Sequence, residues 1–296
     1  MKKKVLIAGA TGFIGKNLYE YLKNKDGIEA YSLNSSQIDF MEEDKVEKFL
    51  FNNFYDVIIF CANYGVGRNP ANRESRILEC NMRMVLNFEK CSQYYGKLLY
   101  LGSGAEYDKR YDIISVKEKD IGKSIPVDQY GLYKYIVNSM IQKSNNWYNL
   151  RLFGIFGKYE DWRVKFISNL CCKAILEVPL TIRQNLFFDY LWIDDFCEIV
   201  EYFIHNEMKY KDYNVVSGIK ISLIELAEIV REISGKSLPI YVAKEGLGKE
   251  YTADNKRLST EIEGLKYTSL KDSIRELYNW YLGHKDMIEM YPLLYQ

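Results

Sequence analysis

Tyr130 and Lys134 place a phenol and an ammonium four residues apart, a spacing that puts both on one face of a helix. A phenol is a poor acid–base group near neutrality because its ordinary pKa is about 10. A cation roughly 4 Å away, at an effective dielectric near 20, favours the phenolate by about 4 kcal/mol before screening and desolvation. Such a pair suits proton transfer at a substrate oxygen, and Ser103 offers a hydroxyl to hydrogen-bond the same oxygen. Spacing alone is weak: the same interval recurs at Tyr19/Lys23, Tyr21/Lys25 and Tyr267/Lys271 in a chain with 26 tyrosines. Context singles out Tyr130. It follows an apolar run at 98–101 that ends in Gly102-Ser103, and it precedes another run ending near Arg151. In parallel sheets the carboxyl ends of such strands are where ligands bind.

A second chemical signal lies at the start of the chain. The apolar residues 5–8 run into Gly9, Gly12 and Gly15, and then into a helical pattern. Glycines at this point allow a tight turn and close approach of backbone to phosphate, while N–H groups at the helix start bind a pyrophosphate. The loop, with Thr11, Phe13 and Ile14 inside it, is therefore expected to bind a dinucleotide. The next apolar run ends in Asn34, Ser35 and Ser36, without the acidic residue that would hold the adenosine ribose and repel an extra phosphate. These side chains favour NADP(H) over NAD(H), although no arginine stands nearby.

Composition narrows the setting for this chemistry. Forty basic and forty acidic residues balance among 296, so no global field draws the chain to nucleic acid or an anionic membrane. Two histidines, His205 and His284, leave little material for a Ser-His-Asp triad or a histidine metal site, and none is expected. Six cysteines show no CxxC or zinc-type spacing, which suits a reducing cytoplasm. The basic start and its apolar run, broken by Gly9 and Gly12, lack a convincing export cleavage site, and no stretch approaches the roughly 20 apolar residues of a membrane span.

The elements needed to position these residues follow from the pattern of apolar positions. Short β-rich runs at 4–8, 30–33, 57–61, 98–101 and 148–153 alternate with helical patterns from about Gly12, at 43–52, 73–95 and 128–143. That alternation predicts an α/β fold, a Rossmann-type doubly wound parallel sheet with helices on both faces. Beyond Gly157 the rhythm changes to helices at 164–176, 194–205, 222–234 and 270–281 with a strand at 187–193. Asp194 and Asp195 are expected to cap the second of these, and Ser222 with Glu225 to form a capping box on the third. The expected division is a dinucleotide domain at 1–157 plus 186–217 and a smaller C-terminal α/β lobe at 158–185 plus 218–296.

With these residues in place, the chain resembles the extended short-chain dehydrogenases/reductases of the NAD-dependent epimerase/dehydratase type, which act on nucleotide sugars. Gly9, Gly12 and Gly15 match that family's cofactor loop, and Asp39 its adenine contact. Cys61-Ala62-Asn63 match the strand end beside the cofactor, Asn81 a helix asparagine, and Ser103, Tyr130 and Lys134 the catalytic trio. Leu101 and the segment from Arg151 through Phe153 to Gly157 resemble the strand ends at the nicotinamide. The resemblance implies a nucleoside diphosphate sugar as substrate and a homodimer through the helices at 73–95 and 128–143. Lys134 would also hold the nicotinamide ribose.

Departures from the family pattern select among its reactions. The dehydratases carry two acidic residues after the serine, where Gly104 and Ala105 stand here. The fucose-synthase-like enzymes invert ring carbons with a cysteine and a histidine, where this chain has Ala105 and Arg163. The trio that remains suffices for hydride transfer at one carbon, so reduction of a 4-keto sugar is expected. A 4-epimerase and a non-catalytic NAD(P)-binding regulator are the alternatives. Gly104, Ala105 and Arg163 are expected to line the sugar site. The family's arginine ahead of its Asp-Phe segment is Phe188 here, leaving Arg183 and Arg257 as candidates for the diphosphate.

Overall fold

The structure, a computed structural model, describes residues 2–65 and 76–294. Its first half alternates β1 (Lys3–Ala8), α1 (Phe13–Leu22), β2 (Ile28–Leu33), α2 (Glu43–Asn52), β3 (Tyr55–Phe60) and α3 (Ile77–Lys90). β4 (Tyr95–Ser103), β5 (Ile113–Val116), α4 (Gln129–Ile141), β6 (Trp147–Leu152) and β7 (Gly154–Phe156) follow. The second half contains α5 (Phe166–Ile175), β8 (Leu180–Asn185), β9 (Phe187–Trp192), α6 (Ile193–His205) and β10 (Asp212–Val215). It ends with β11 (Lys220–Ser222), α7 (Leu223–Ser234), β12 (Ile240–Leu247), β13 (Tyr251–Ala253), α8 (Lys256–Glu261), α9 (Leu270–Gly283) and α10 (Tyr291–Leu294).

Six strands form a wholly parallel sheet in the order β2-β1-β3-β4-β6-β10. Because side chains alternate across a strand, a parallel sheet covered on both faces needs runs that are apolar throughout. β1 and β3 show this directly. Val5 and Ile7 enter one core with Val57 and Ile59, while Leu6 and Ala8 enter the other with Ile58 and Phe60. Helices α2, α3 and α4 close the second face, and α1 and α6 contribute to the first. β1 lies between β2 and β3, so the chain leaves it in opposite directions and opens a crevice at the carboxyl ends.

The remaining strands form smaller sheets. β9 pairs with β7, β11 and β13, and β13 also pairs with β5, while β8 pairs with β12. β13 therefore carries residues 251–253 back to the segment that follows β4, and α8 then packs against β10. Only β9 of this set was expected from the sequence. The others are short or paired with strands distant in the chain, and their apolar pattern is too brief to register.

Local signals mostly hold, with two corrections. Ser222 and Glu225 form the expected capping box, and the side chain of Asp128 accepts the Gly131 N–H at the start of α4. Trp192, not an aspartate, is the N-cap of α6, and the Asp195 carboxylate instead accepts the N–H and hydroxyl of Thr268 at 3.0 and 2.7 Å. The expected helix at 73–95 is shorter: α3 ends at Lys90, a tight turn spans Ser92–Tyr94, and Tyr95 already belongs to β4. Its first three expected residues lie outside the described ones.

Candidate active site

The glycine loop follows directly from β1. Gly9 has φ of +95°, a conformation L side chains rarely adopt, and a Cβ there would stand 2.7 Å from the Ala62 nitrogen. This close approach brings the ends of β1 and β3 together. Gly12 is the N-cap of α1 and offers no side-chain cap, so the first-turn N–H groups of the helix remain for a ligand. A Cβ on Gly12 would meet nothing closer than 3.6 Å, so its open side leaves room at that helix start. Thr11 is exposed beside it, and Phe13 and Ile14 pack partly into the core. The arrangement fits a dinucleotide pyrophosphate.

After β2 the chain makes a turn held by its own side chains. Asn34 Oδ1 accepts the Ser36 N–H at 2.9 Å and the Ser36 hydroxyl at 2.5 Å, and Gln37 accepts the Asn34 N–H. Ser35 and Ser36 are exposed. Asp39 Oδ1 accepts the Met41 N–H at 2.9 Å. These residues stand beyond the end of β2, beside the loop whose Gly9 and Ala10 donate to the Leu33 carbonyl.

The end of β3 links the loop to the helix bearing Tyr130. Cys61 and Ala62 lie against Gly9, and Asn63 accepts the hydroxyl of Tyr133, on the same helix as Tyr130, at 2.8 Å. Asn81 holds this segment from below. Its amide accepts the Tyr64 N–H and donates to the Tyr64 and Ile77 carbonyls, which leaves a positioning role rather than a free polar head.

Ser103, Tyr130 and Lys134 meet where β4 and α4 come together. Ser103 and Tyr130 line one cavity. Lys134 Nζ donates to the Leu101 carbonyl at 2.5 Å and lies 5.9, 4.5 and 5.1 Å from the rings of Tyr130, Tyr100 and Tyr133. Burial pushes the Lys134 ammonium down to about 7, against an opposing pull from the Glu106 carboxylate. Burial also raises the Tyr130 phenol above its ordinary value, although the neighbouring polar groups of Ser103 and Asn63 draw it down. The expected lowering of the phenol by the lysine charge gives way to desolvation: Lys134 is buried and Tyr130 half-buried, and withdrawing water opposes each charged form.

Beneath the trio lies a buried ionic cluster. Glu106 accepts the Ser103 N–H at 3.0 Å and pairs with Arg151 at 2.7 Å, both side chains being wholly buried. Arg151 also pairs with Asp212 at 2.9 Å and hydrogen-bonds Asn138, Tyr107 and Asn214. Two carboxylates and three neutral groups therefore surround the guanidinium, as burial of such a charge requires.

A cavity of about 360 Å³ opens over Ser103 and Tyr130, walled by Ala105, Tyr111, Ile113, Phe153, Phe188 and Tyr251, with Lys109, Lys249 and Glu250 around it. Phe153 is in the wall, and Gly104 lies behind it, where a Cβ would meet Phe153 and the Tyr251 hydroxyl at 2.6 Å. The three arginines expected at the substrate are not among the wall residues. Arg257 binds Asp212 at 2.6 Å beside Glu118, Arg163 pairs with Asp161 and Glu289, and Arg183 is exposed on β8. Arg163 and Arg257 are thus engaged in ion pairs of their own. Lys109, Tyr111, Lys249, Glu250 and Tyr251 were not picked out from the sequence. Strand pairing across β5, β13 and β9 brings them in, and no local spacing records such pairing.

The profile of the NAD dependent epimerase/dehydratase family matches residues 5–216, which contain the glycine loop, the trio and the parallel sheet. The chain belongs to that family. Among its relatives is GDP-L-colitose synthase of Yersinia pseudotuberculosis, 22% identical over 96% of this chain and 99% of that protein. Another is GDP-6-deoxy-D-talose 4-dehydrogenase of Aggregatibacter actinomycetemcomitans, 22% identical over 93% and 97%. Similar solved structures include a GDP-L-fucose synthetase from Naegleria fowleri bound to NADP, with a TM-score of 0.85 at 14% identity, covering 96% of this chain and 94% of that one. RMD from Pseudomonas aeruginosa complexed with NADPH superposes with a TM-score of 0.81 at 20% identity over 95% and 100%. The fold is shared with these Rossmann-type proteins.

Proposed function

We propose that this family member is an NADP(H)-dependent oxidoreductase that reduces the 4-keto group of a nucleoside diphosphate sugar. The observation that carries the reading is the meeting of Ser103 and Tyr130 in one cavity wall with Lys134 buried 5.9 Å from the Tyr130 ring, on a helix held through Tyr133 and Asn63 to the strand end beside the glycine loop. Residues 1–157 plus 186–217 are read as the cofactor domain and 158–185 plus 218–296 as the sugar-binding lobe, which reaches the cavity through Lys249, Glu250 and Tyr251. The GDP-sugar enzymes among the relatives, and the NADP and NADPH in the solved structures, support the choice of substrate and cofactor.

Gly9, Gly12 and Gly15 receive the pyrophosphate, and Asn34, Ser35 and Ser36 lie where an adenosine phosphate would be read. NADPH, when bound, supplies the hydride that goes to the carbonyl carbon. Tyr130 gives its phenolic proton to the carbonyl oxygen, and Ser103 donates a hydrogen bond to the same atom. Lys134, 5.9 Å from the Tyr130 ring, would steady the phenolate left after the transfer and would be a group to hold the nicotinamide ribose. Gly104 and Ala105 provide no acid or base beside the serine, which disfavours loss of water from the sugar.

The test runs the reaction backwards with a defined compound. GDP-6-deoxy-D-talose and NADP+ are expected to give NADPH absorbance with purified protein, and cofactor is expected to exchange freely on gel filtration. Absence of turnover with this and other nucleotide 6-deoxyhexoses removes the reading. A cofactor that absorbs and stays bound through filtration favours the 4-epimerase instead.

A further inference from the structure

Where the family carries an arginine ahead of its Asp-Phe segment, this chain has Phe188, set among rings: those of Tyr190 and Tyr251 each lie 4.9 Å from it, centroid to centroid. Arg163 and Arg257 hold carboxylates of their own, and Arg183 is outside the cavity wall. A diphosphate attached to a sugar in this cavity therefore needs its positive charge from other residues. Among the described residues, Lys109 and Lys249 are the only cations in that wall.

The two lysines come from segments far apart in the chain that the fold ties together. Lys109 follows β4 and Lys249 precedes β13. The Lys249 ammonium donates to the Arg110 carbonyl at 2.5 Å, one residue from Lys109. Beside it, the Glu250 N–H donates to Asp112 at 2.8 Å and the Ile113 N–H to the Glu250 carbonyl at 2.9 Å. The backbone on both sides is thus fixed, and the two lysines share one corner of the rim. Lys109 Nζ lies 5.8 Å from the Tyr130 ring, so that corner borders the reacting groups.

The neighbouring acids leave these charges available. Asp108 is held by the Arg110 guanidinium at 2.7 Å and by the Ser124 hydroxyl, and Glu250 by Lys220 and the Thr252 hydroxyl at 2.5 and 2.6 Å. Asp128 accepts the Gly131 N–H as the cap of α4 and reaches Lys109 only at 3.8 Å. Among the described residues no carboxylate pairs with Lys249, whose partner is the neutral Arg110 carbonyl. Two cations with one loose counter-ion between them, beside a cavity of sugar size, suit a doubly charged group.

We infer that Lys109 and Lys249 bind the diphosphate of the nucleotide sugar, in place of the arginine that Phe188 displaces. The inference rests on the reading of the substrate as a nucleoside diphosphate sugar and adds the residues that hold it. An ammonium on a flexible stem meets phosphate as a point charge, without the paired geometry of a guanidinium. The lysines hold substrate and transition state alike, so their loss raises KM more than it lowers kcat.

Calorimetry with GDP as the probe, in the presence of NADP+, reads the site without turnover. Lys109→Met and Lys249→Met are each expected to weaken the GDP Kd roughly three- to tenfold, and the double variant further. Lys249→Arg keeps the charge and is expected to stay within about threefold of wild type. Added NaCl is expected to weaken GDP binding to the wild type and to affect the double variant less. NADP+ is expected to stabilise all of these proteins equally; a double variant that loses NADP+ and GDP together overturns the inference, because the lysines then support the fold rather than one ligand. The other overturning results are a double variant that binds GDP as tightly as wild type, a wild-type protein that binds none of GDP, UDP and dTDP, and a larger loss in Arg183→Met than in either lysine variant. If GDP binds through the lysines while no nucleotide sugar is oxidised, the reductase reading fails and the inference stands. Turnover of GDP-6-deoxy-D-talose with an unchanged KM in the double variant decides the opposite.

Discussion

Gly12 and Gly15 stand three residues apart in one loop, yet they meet different surroundings. A Cβ on Gly15 would lie 2.3 Å from the Gly9 carbonyl oxygen, a clash with backbone that cannot swing aside. Gly15→Ala is expected to destabilise the fold by about 1–3 kcal/mol, read as a lower melting temperature. Gly12→Ala is expected to melt like wild type but to lose stabilisation by NADP+, because its methyl enters only ligand space. At Tyr130 the expected outcome is catalytic. Tyr130→Phe should bind cofactor normally and lower kcat about a hundredfold or more, the usual worth of a placed proton donor. Lys134 adds a pH dependence. With its ammonium held down to about 7, it is charged below that pH and neutral above. The value of kcat/KM for NADPH, which reports the free enzyme, is expected to be level below pH 7 and to fall as pH rises beyond it. Lys134→Met should abolish that limb.

Among elements, β4 and β6 carry the cost of burying charge. Arg151 on β6 holds Glu106, which in turn accepts the N–H of Ser103 at the end of β4. Arg151→Met leaves the buried Glu106 carboxylate without a cation, while Asp212 keeps Arg257, and a loss of roughly 3–5 kcal/mol is expected by urea unfolding. α5 offers a separate test of stability against pH. Glu160, between β7 and α5, hydrogen-bonds Ser168 through Oε1, while its buried Oε2 has no partner among the described residues. Burial pushes its carboxyl up to about 7. Between the ordinary glutamate range and pH 7 the folded protein keeps a proton that the unfolded chain releases, so this group's contribution to stability falls as pH rises through that window. Glu160→Gln removes the effect. Its melting temperature relative to wild type is expected to improve from pH 5 to pH 8; a constant difference would contradict the assignment.

For the whole molecule, the expectation is linkage between folding and cofactor. NADP+ at 100 times its Kd is expected to stabilise the protein by about 2.7 kcal/mol, and GDP to add to this if the cavity and the loop are filled together. A thermal-shift series with NADP+, NAD+ and GDP measures both effects, and stronger stabilisation by NAD+ would reverse the cofactor choice. The parallel sheet and its glycine loop were legible in the sequence because their signals are local. Apolar runs at 4–8 and 57–61, the spacing of Gly9, Gly12 and Gly15, and the order Ser103, Tyr130, Lys134 all lie within single strand–helix units. The walls of the cavity were not legible, since Lys249, Glu250 and Tyr251 arrive only when β13 inserts between β5 and β9. Nor could the sequence show that Arg257 is taken up by Asp212, or that burial opposes the charge on Lys134. Periodicity and loop chemistry depend on neighbours a few residues apart, and they determined the class of fold and singled out the candidate groups. Which distant side chains share a cavity, and what water they exclude, depends on long-range pairing that only the folded chain decides.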